Sequence, residues 1–568
     1  MDEHSWYDEV ADYTKAEEAI PFVDYERPKQ EAHQISNSIV SQPVDEKQSL
    51  ASSTSWKPRP GSPKKSLYIA GAVLSALVVI VAASSALLLH IKSSQMPTRP
   101  AADSFRYAAC PFKPGAGIIE GKEVRCGYLT VLEDRSHPGG STIRLAIAIF
   151  KALHPNPASD PVVFLQGGPG GGILNDLGTK NTSENLDSMT MGHDLILLDQ
   201  RGTGYSKPLL DCPEFTNYQL IAEYNNASPD QADSDMKAAQ ACHARLTNSG
   251  VNLQTYTTIA DATDVHDLIH ALHYKQVNLY GVSYGTRLAL TVMRLFPSDI
   301  RSVVLDSAVP TQINLFDTTP SVTQHAFDVL FHGCAASRVC NSMYPRLENL
   351  FYQTVTDLNN NPVIFSDPQH GSAQLNGDLL SNVVYQAMYV TQLIPMLPAA
   401  IVQISEGNYS FLTRYIDYLM DPGISDGMYF SVECGEDMAF TTLQKLDMSV
   451  NVLRPEIRQT ILTSLQSEFA ICQVWGQSPV PAVQKQPVTS SVPTLILSGE
   501  YDPITPPSNG QLLEKTLSKS FFFLFPGTGH GVFDTGSCPD SMVSAFLQSP
   551  TEKPTAACIL KMHEPDFQ

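Results

Sequence analysis

No cysteine precedes Cys110 in this chain of 568 residues, although ten occur from that position on. No Asn-x-Ser/Thr sequon precedes Asn181 either. No two cysteines stand in a C-x-x-C pair, so the usual sequence sign of a zinc site is missing. Positive charge is scarce: 37 Lys and Arg face 58 Asp and Glu, a net charge of −21. Binding to a polyanionic nucleic acid depends on many cationic contacts, so that class of partner is excluded. There is no internal repeat to suggest a solenoid. Residues 1–66 are polar, rich in Ser, Pro, Gln and acid, and lack a periodic apolar pattern. They read as a disordered cytosolic tail.

The next segment has the opposite character. Residues 67–91 are expected to form a transmembrane helix; the stretch Leu67 to Leu89 is apolar and uncharged, long enough to span a bilayer. It is too long and starts too late for a cleaved signal peptide. Lys57, Arg59, Lys64 and Lys65 precede it, and Lys92 and Arg99 come after it, a bias that favours a cytosolic N-terminus. The chain is therefore expected to be a single-pass type II (signal-anchor) membrane protein. Its main body would face a lumen or the cell exterior, in a vacuole- or lysosome-like compartment, the secretory pathway or the cell surface. All ten cysteines lie on that side, as expected for disulfides. Pairing of sequence neighbours (Cys110–Cys126, Cys212–Cys242, Cys334–Cys340, Cys434–Cys472, Cys538–Cys558) is one of many connectivities that spacing leaves open. Asn181, Asn226 and Asn408 are candidate glycosylation sites. Tyr7-Asp8-Glu9-Val10 has the form of a tyrosine-based sorting signal, so an adaptor is a candidate partner for the tail. Residues 92–109 read as a stalk.

Chemistry enters at Val277-Asn278-Leu279-Tyr280-Gly281-Val282-Ser283-Tyr284-Gly285-Thr286, a strand-length apolar run ending in G-x-S-x-G before a helical pattern. That context lifts a serine off the end of a sheet, over a helix N-terminus, with its hydroxyl exposed. A bland glycine-rich turn is the rival reading, and three more segments weigh against it. Val162 to Leu165 runs into Gln166-Gly167-Gly168-Pro169-Gly170-Gly171-Gly172. Glycines there let backbone N–H groups approach a developing oxyanion. A phosphate loop would need Lys-Ser/Thr after the glycines, and none is there. With Ser283 as nucleophile, the N–H of Tyr284 and that of Gly168 are the candidate oxyanion donors. Asp194 to Leu198 leads into Asp199-Gln200-Arg201-Gly202-Thr203-Gly204-Tyr205-Ser206, where Asp199 and Arg201 are expected to brace loops.

The last segment is Pro493 to Leu497 with Ser498-Gly499-Glu500-Tyr501-Asp502-Pro503 after it, then Phe521 to Phe525 with Pro526-Gly527-Thr528-Gly529-His530-Gly531. Ser283, Asp502 and His530 thus occur in the chain order of a nucleophile-elbow triad. Ser283 would attack a carbonyl, His530 would carry its proton to the leaving group, and Asp502 would hold the imidazole. His563 is the other histidine after Asp502, and Asp306 is the alternative acid.

The set QGGPGGG, DQRGTGYS, GVSYGT, GEYDPITP and GTGHG resembles the proline iminopeptidase and tripeptidyl aminopeptidase family of α/β-hydrolase serine peptidases, over roughly Cys110 to Leu560. The larger secreted tripeptidyl-aminopeptidase-like branch is the nearer match. The resemblance implies an α/β fold with a helical cap and removal of residues from free peptide N-termini. Iminopeptidases usually carry His where Gln166 stands, which weakens a narrow proline specificity. No cofactor and no metal are expected.

The apolar runs support that fold independently. Short strand patterns alternate with helical stretches such as Ala260–His273 and Arg287–Phe296, implying a mostly parallel sheet with helices on both faces. The first part of the core is expected over 110–309, a large helical cap inserted after the sixth strand over 310–492, and the rest of the core over 493–568. Recognition of a substrate ammonium needs carboxylates. Glu433, Glu436 and Asp437 are the densest acidic cluster in the cap and are its candidates, against the plainer reading of a solvated acidic turn. Two other classes compete with an aminopeptidase: an esterase on the same triad, and a catalytically silent ectodomain. Epoxide hydrolases and dehalogenases are excluded, since they need Asp where Ser283 stands.

Overall fold

The computed structural model describes residues 104–567 apart from 154–157, 181, 216–230, 368–370, 421–422 and 534. The predicted tail, span and most of the stalk, the sorting signal, Asn181 and Asn226 lie outside the described residues. Among those described, no helix is long and apolar enough to cross a membrane.

Among the described residues nine strands form one sheet: β1 (Ser104–Ala108), β2 (Val124–Leu132), β3 (Thr142–Phe150), β4 (Ala158–Leu165), β5 (His193–Leu198), β6 (Val277–Val282), β7 (Ile300–Asp306), β10 (Thr494–Gly499) and β11 (Ser520–Phe525). Two more, β8 (Val363–Asp367) and β9 (Gly371–Leu375), pair only with each other, as a hairpin. The order in the large sheet is β1-β2-β3-β5-β4-β6-β7-β10-β11. The first three pair antiparallel, and so does β3 with β5. Every pairing from β5–β4 to β10–β11 is parallel. The apolar runs singled out in the sequence before Gln166, Asp199, Ser283, Ser498 and Pro526 all become strands of this sheet.

Successive side chains of a strand point to opposite faces, and here both faces are covered. In β3, Ile143, Leu145, Ile147 and Ile149 join the core on one face, while Ala146, Ala148 and Phe150 join that on the other. β4 and β5 divide the same way: Val163, Leu165, Ile196 and Leu198 against Val162, Phe164, Leu195 and Leu197. The first face is covered by helices α1 (Thr258–Ala271) and α2 (Tyr284–Leu295), and the second by the helix Ser537–Gln548. Each such large aliphatic side chain stabilises the fold by about 1.5–3 kcal/mol relative to exposure.

Between β7 and β10 the regular structure among the described residues is helical except for the β8–β9 hairpin. It has its own core, which includes Phe327, Phe331, Phe351, Ile401 and Trp475. Three expectations need correction. Ser104–Ala108, expected in the stalk, is the edge strand of the sheet. The insertion therefore comes after the seventh strand, not the sixth. The helix Gln231–Asn248, expected in the α/β core, contributes Ala239, Cys242 and Leu246 to the core of the insertion. The five neighbour pairings of cysteine are all present as disulfides, and no described cysteine is free.

Candidate active site

Ser283 sits between β6 and α2 with φ 56° and ψ −127°. A non-glycine residue there stores on the order of 1–3 kcal/mol of strain and persists only where its surroundings fix it. They do. Its N–H donates to the carbonyl of Asp306 at 3.0 Å, and its own carbonyl accepts from the Thr286 hydroxyl at 2.6 Å. Gly285 is needed because any Cβ would run into the carbonyl of Leu165 at the end of β4. Tyr284 opens α2, where the first N–H groups have no intrahelical acceptor. Its side chain is locked below the elbow: its hydroxyl lies 2.8 Å from the Thr258 hydroxyl and donates to Asp261 at 3.3 Å.

The glycine loop lies directly against the elbow. A Cβ on Gly167 would come within 2.8 Å of that of Ser283. Gly168 has φ +115°, a region that side chains rarely adopt. The Gln200 side-chain amide donates to the Gln166 carbonyl at 2.9 Å and steadies the entry to the loop. From the insertion, the Ser425 N–H donates to the Gly170 carbonyl at 2.9 Å, and Ile424 bridges Gly171. The helical insertion thus rests on the loop that carries Gly168.

Asp502 and His530 meet as the sequence order demands. His530 Nδ1 lies 2.9 Å from Asp502 Oδ2 and 3.0 Å from Oδ1. Asp502 also accepts from the N–H groups of Ile504 at 3.1 Å and Thr505 at 2.8 Å, and from the Thr505 hydroxyl at 2.6 Å. Burial opposes its ionisation, but the His530 charge and these hydrogen bonds outweigh that and hold its carboxyl below the usual range. His530 shows the reciprocal shift: burial disfavours its cation, Asp502 favours it, and the imidazole ends above its ordinary value. From the insertion, the Tyr389 carbonyl accepts the His530 N–H at 3.1 Å, and its ring lies 5.0 Å from the imidazole.

Asp306 is placed beside this pair but is differently engaged. Its carboxylate accepts from the N–H groups of Val532 and Phe533 at 2.8 and 2.9 Å and from the Tyr280 hydroxyl at 2.8 Å. Its carbonyl holds the Ser283 N–H. One residue therefore pins both the elbow and the loop after His530 to the end of β7. Among the described residues Ser283 makes no hydrogen bond to His530; Asp306 is what brings their loops to the same end of the sheet. His563 is far from this role: its side chain is 69% exposed and faces Asp566.

Asp199 and Arg201 brace loops, as expected. Asp199 accepts from the N–H groups of Leu174 and Tyr205 at 3.0 and 2.7 Å. Arg201 is fully buried and forks onto Asp264 at 2.8 and 2.9 Å. Burial pushes the Asp199 carboxyl up to about 6 against those N–H groups.

The three candidate carboxylates for an ammonium are not a solvated turn. Glu433 and Glu436 lie on helix α3 of the insertion (Asp426–Glu436), Asp437 caps it, and all three are buried. Two are already engaged. Asp437 Oδ2 takes both Arg287 terminal nitrogens at 3.1 Å and the Leu315 N–H at 3.0 Å, while Oδ1 takes Lys485 Nζ. Burial works against that charge, but Arg287 and Lys485 keep the carboxyl below its usual range. Glu436 accepts from the N–H and hydroxyl of Thr258 at 2.7 Å each, satisfying the start of α1. Glu433 differs. Neither of its carboxylate oxygens has a protein hydrogen-bond partner among the described residues. Burial first, then the charge of Asp437, push it up to about 8, with Arg287 opposing.

Sequence reasoning missed Thr505, Tyr389, Arg287, Lys485 and Thr258. Thr505 was within reach, because Asp-Pro-Ile-Thr is a side-chain-to-backbone turn of the kind aspartate favours. Tyr389 carried no local signal; only the folded insertion brings it to His530.

A serine hydrolase of the α/β class is what the sheet order, the elbow and the Asp502–His530 pair define. A family profile described as alpha/beta hydrolase fold matches residues 160–336, and one described as TAP-like protein matches 459–558. The tripeptidyl aminopeptidase of Streptomyces lividans is 31% identical over 33% of this chain and 36% of its own length. The chain therefore aligns with about a third of that relative. Serine protease Hip1 of Mycobacterium bovis is 26% identical over 76% of this chain and 86% of its own. Proline iminopeptidase of Xanthomonas citri is 38% identical over 12% of this chain and 20% of its own. By these matches the chain has the α/β-hydrolase fold and is similar to peptidases built on it.

Proposed function

We propose that this protein is a serine aminopeptidase that cleaves peptide bonds near free N-termini through an acyl-enzyme. Ser283 Oγ attacks the carbonyl while His530 Nε2 takes its proton. The N–H groups of Gly168 and Tyr284 receive the oxyanion. His530 then protonates the leaving amine, and water repeats the sequence to release the acyl group. Asp502 fixes the imidazole tautomer and offsets its charge. The Asp502–His530 hydrogen bond, beside a strained serine anchored on the same Asp306, is the observation that supports this most directly.

The preference for an N-terminus rests on Glu433. A buried carboxylate without partners is costly, and a substrate ammonium would satisfy it. Glu436 and Asp437 support the helix that carries it. Names among the relatives point the same way: one is a tripeptidyl aminopeptidase and one a proline iminopeptidase. A matched peptide library with free or acetylated N-termini, read by mass, tests the reading. Free-amine peptides should shorten from their N-terminus and acetylated ones should stay intact; efficient cleavage of acetylated peptides would transfer the activity to an esterase or endopeptidase class.

We also propose a lumenal or extracellular catalytic domain behind the N-terminal span. Five disulfides are in keeping with an oxidising compartment, and Asn408 lies exposed in a turn open to glycosylation. Protease added to sealed vesicles, lumen inside, should remove only the tail; digestion of the catalytic domain would reverse the orientation.

A further inference from the structure

We propose that His266, His270 and Asp299 form a site for one divalent transition-metal ion of the zinc type. His266 and His270 are four residues apart on α1, hence on one face of the helix. Their ring centroids are 4.3 Å apart. Asp299 comes from the short turn Pro297–Asp299 that feeds β7. Its Oδ2 lies 2.6 Å from His266 Nδ1 and 3.6 Å from His270 Nε2. One potential ligand atom from each of the three residues lies within 4.8 Å of the other two.

The plain alternative is a single His–Asp ion pair. That accounts for His266 but not for His270, whose Nε2 is too far from Asp299 for a hydrogen bond yet approaches the same oxygen. Two imidazoles converging on one carboxylate oxygen suit a cation between them better than one shared proton. The donors are also held. His266 stacks on Phe296 at 4.1 Å with 14° between planes. The Ser298 hydroxyl engages the other oxygen of Asp299 at 3.2 Å, leaving Oδ2 to face the rings. Side-chain exposures of 30% and 58% for His266 and His270 give an ion a way in. Two nitrogens and one carboxylate oxygen select zinc, cobalt, nickel or copper over magnesium or calcium, which prefer oxygen alone. Water completes the coordination.

The ion would tie α1 to the turn before β7. The far ends of those elements carry Thr258 and Asp306, which support the candidate site, so occupancy should stabilise the fold around it.

The test uses the full chain without a histidine tag. Zn²⁺ is titrated by calorimetry and Co²⁺ by visible absorption. The expected result is one saturable site, a visible cobalt spectrum from nitrogen and oxygen ligands, and a Tm raised by Zn²⁺ and restored by a chelator. His270→Ala, an exposed position, should fold normally, keep its peptidase activity, weaken binding by roughly tenfold or more and lose the Tm response. Asp299→Asn should weaken binding in the same way. Absence of saturable binding, or wild-type affinity in His270→Ala, would overturn the assignment.

Discussion

The α/β sheet and the helical insertion treat their buried carboxylates in different ways. At the sheet, Asp502, Asp306 and Asp199 are met mostly by backbone N–H groups from adjacent loops. In the insertion, Asp437 is met by Arg287 and Lys485, side chains distant in sequence. Glu433, one turn earlier on the same helix, is met by none among the described residues. Backbone donors are present wherever the chain turns, so the first arrangement needs only a turn nearby, the acid's own at Asp502 and one remote in sequence at Asp306. The second depends on which side chains the packing of separate helices happens to oppose. The contrast also separates roles. Carboxylates held by N–H groups shape loops and orient His530, whereas the carboxylate left without a protein partner among the described residues is the one proposed to take a ligand.

Substitutions at either end can break this contrast, and the largest effects are at the sheet. Ser283→Ala and His530→Ala should each lower turnover by about 10⁶, as members of one catalytic unit do. Steady-state kinetics on a free-amine peptide measures it, and wild-type activity in either variant removes the triad. Asp502→Asn should lose about 10⁴ in turnover with the fold intact. Asp306→Asn should instead cost about 1–3 kcal/mol of stability, because a single amide oxygen cannot serve both N–H groups and Tyr280. If Asp306→Asn loses more activity than Asp502→Asn, the two acids have exchanged roles.

In the insertion the expected order is inverted. Asp437→Asn leaves Arg287 and Lys485 buried without a full counter-charge and should cost about 3–5 kcal/mol, measured by urea denaturation. Glu436→Gln, which keeps one acceptor for Thr258, should cost less, about 1–3 kcal/mol. Glu433→Gln should leave stability little changed, since neither carboxylate oxygen has a protein hydrogen-bond partner to lose among the described residues. Its loss should appear in kcat/KM for free-amine peptides, by about 2–5 kcal/mol, with a small neutral ester spared. Equal losses on both substrates would make Glu433 a structural group.

The smallest expected effect is a displacement along the pH axis. His530 must be neutral to accept the Ser283 proton, and Asp502 holds its pKa above the ordinary imidazole value despite burial. Activity should therefore fall on acidification with a midpoint above that ordinary value. In Asp502→Asn the charge that raises it is gone, so the residual activity should persist to lower pH. An acid limb that does not move would separate His530 from the limb.

Some of this was legible because the chemistry constrains neighbours in sequence. Ser283 needs Gly285, since α2 must pass against the Leu165 carbonyl. Asp502 needs a turn that aims N–H groups at it, and Asp-Pro-Ile-Thr provides one. The strands declared themselves because both faces of a parallel sheet are buried, which forces continuous apolar runs. The strand Ser104–Ala108 did not, because an edge strand buries little and reads like a linker. The helix Gln231–Asn248 was placed with the wrong layer because its partner, the helix Pro455–Trp475, is on the order of two hundred residues away in sequence.

The sequence by itself determined the hydrolase sheet, the serine at its elbow, and the order in which acid and base come after it, because each is encoded within a few residues by steric and hydrogen-bonding needs. Only the tertiary structure decided that Asp306 ties the elbow to the histidine loop, that Tyr389 from the insertion backs His530, and that of three neighbouring acids Glu433 alone lacks a protein hydrogen-bond partner, among the described residues. A carboxylate's role depends on what lies within about 3 Å of it, and distances of that kind between elements remote in sequence are set by how whole layers pack.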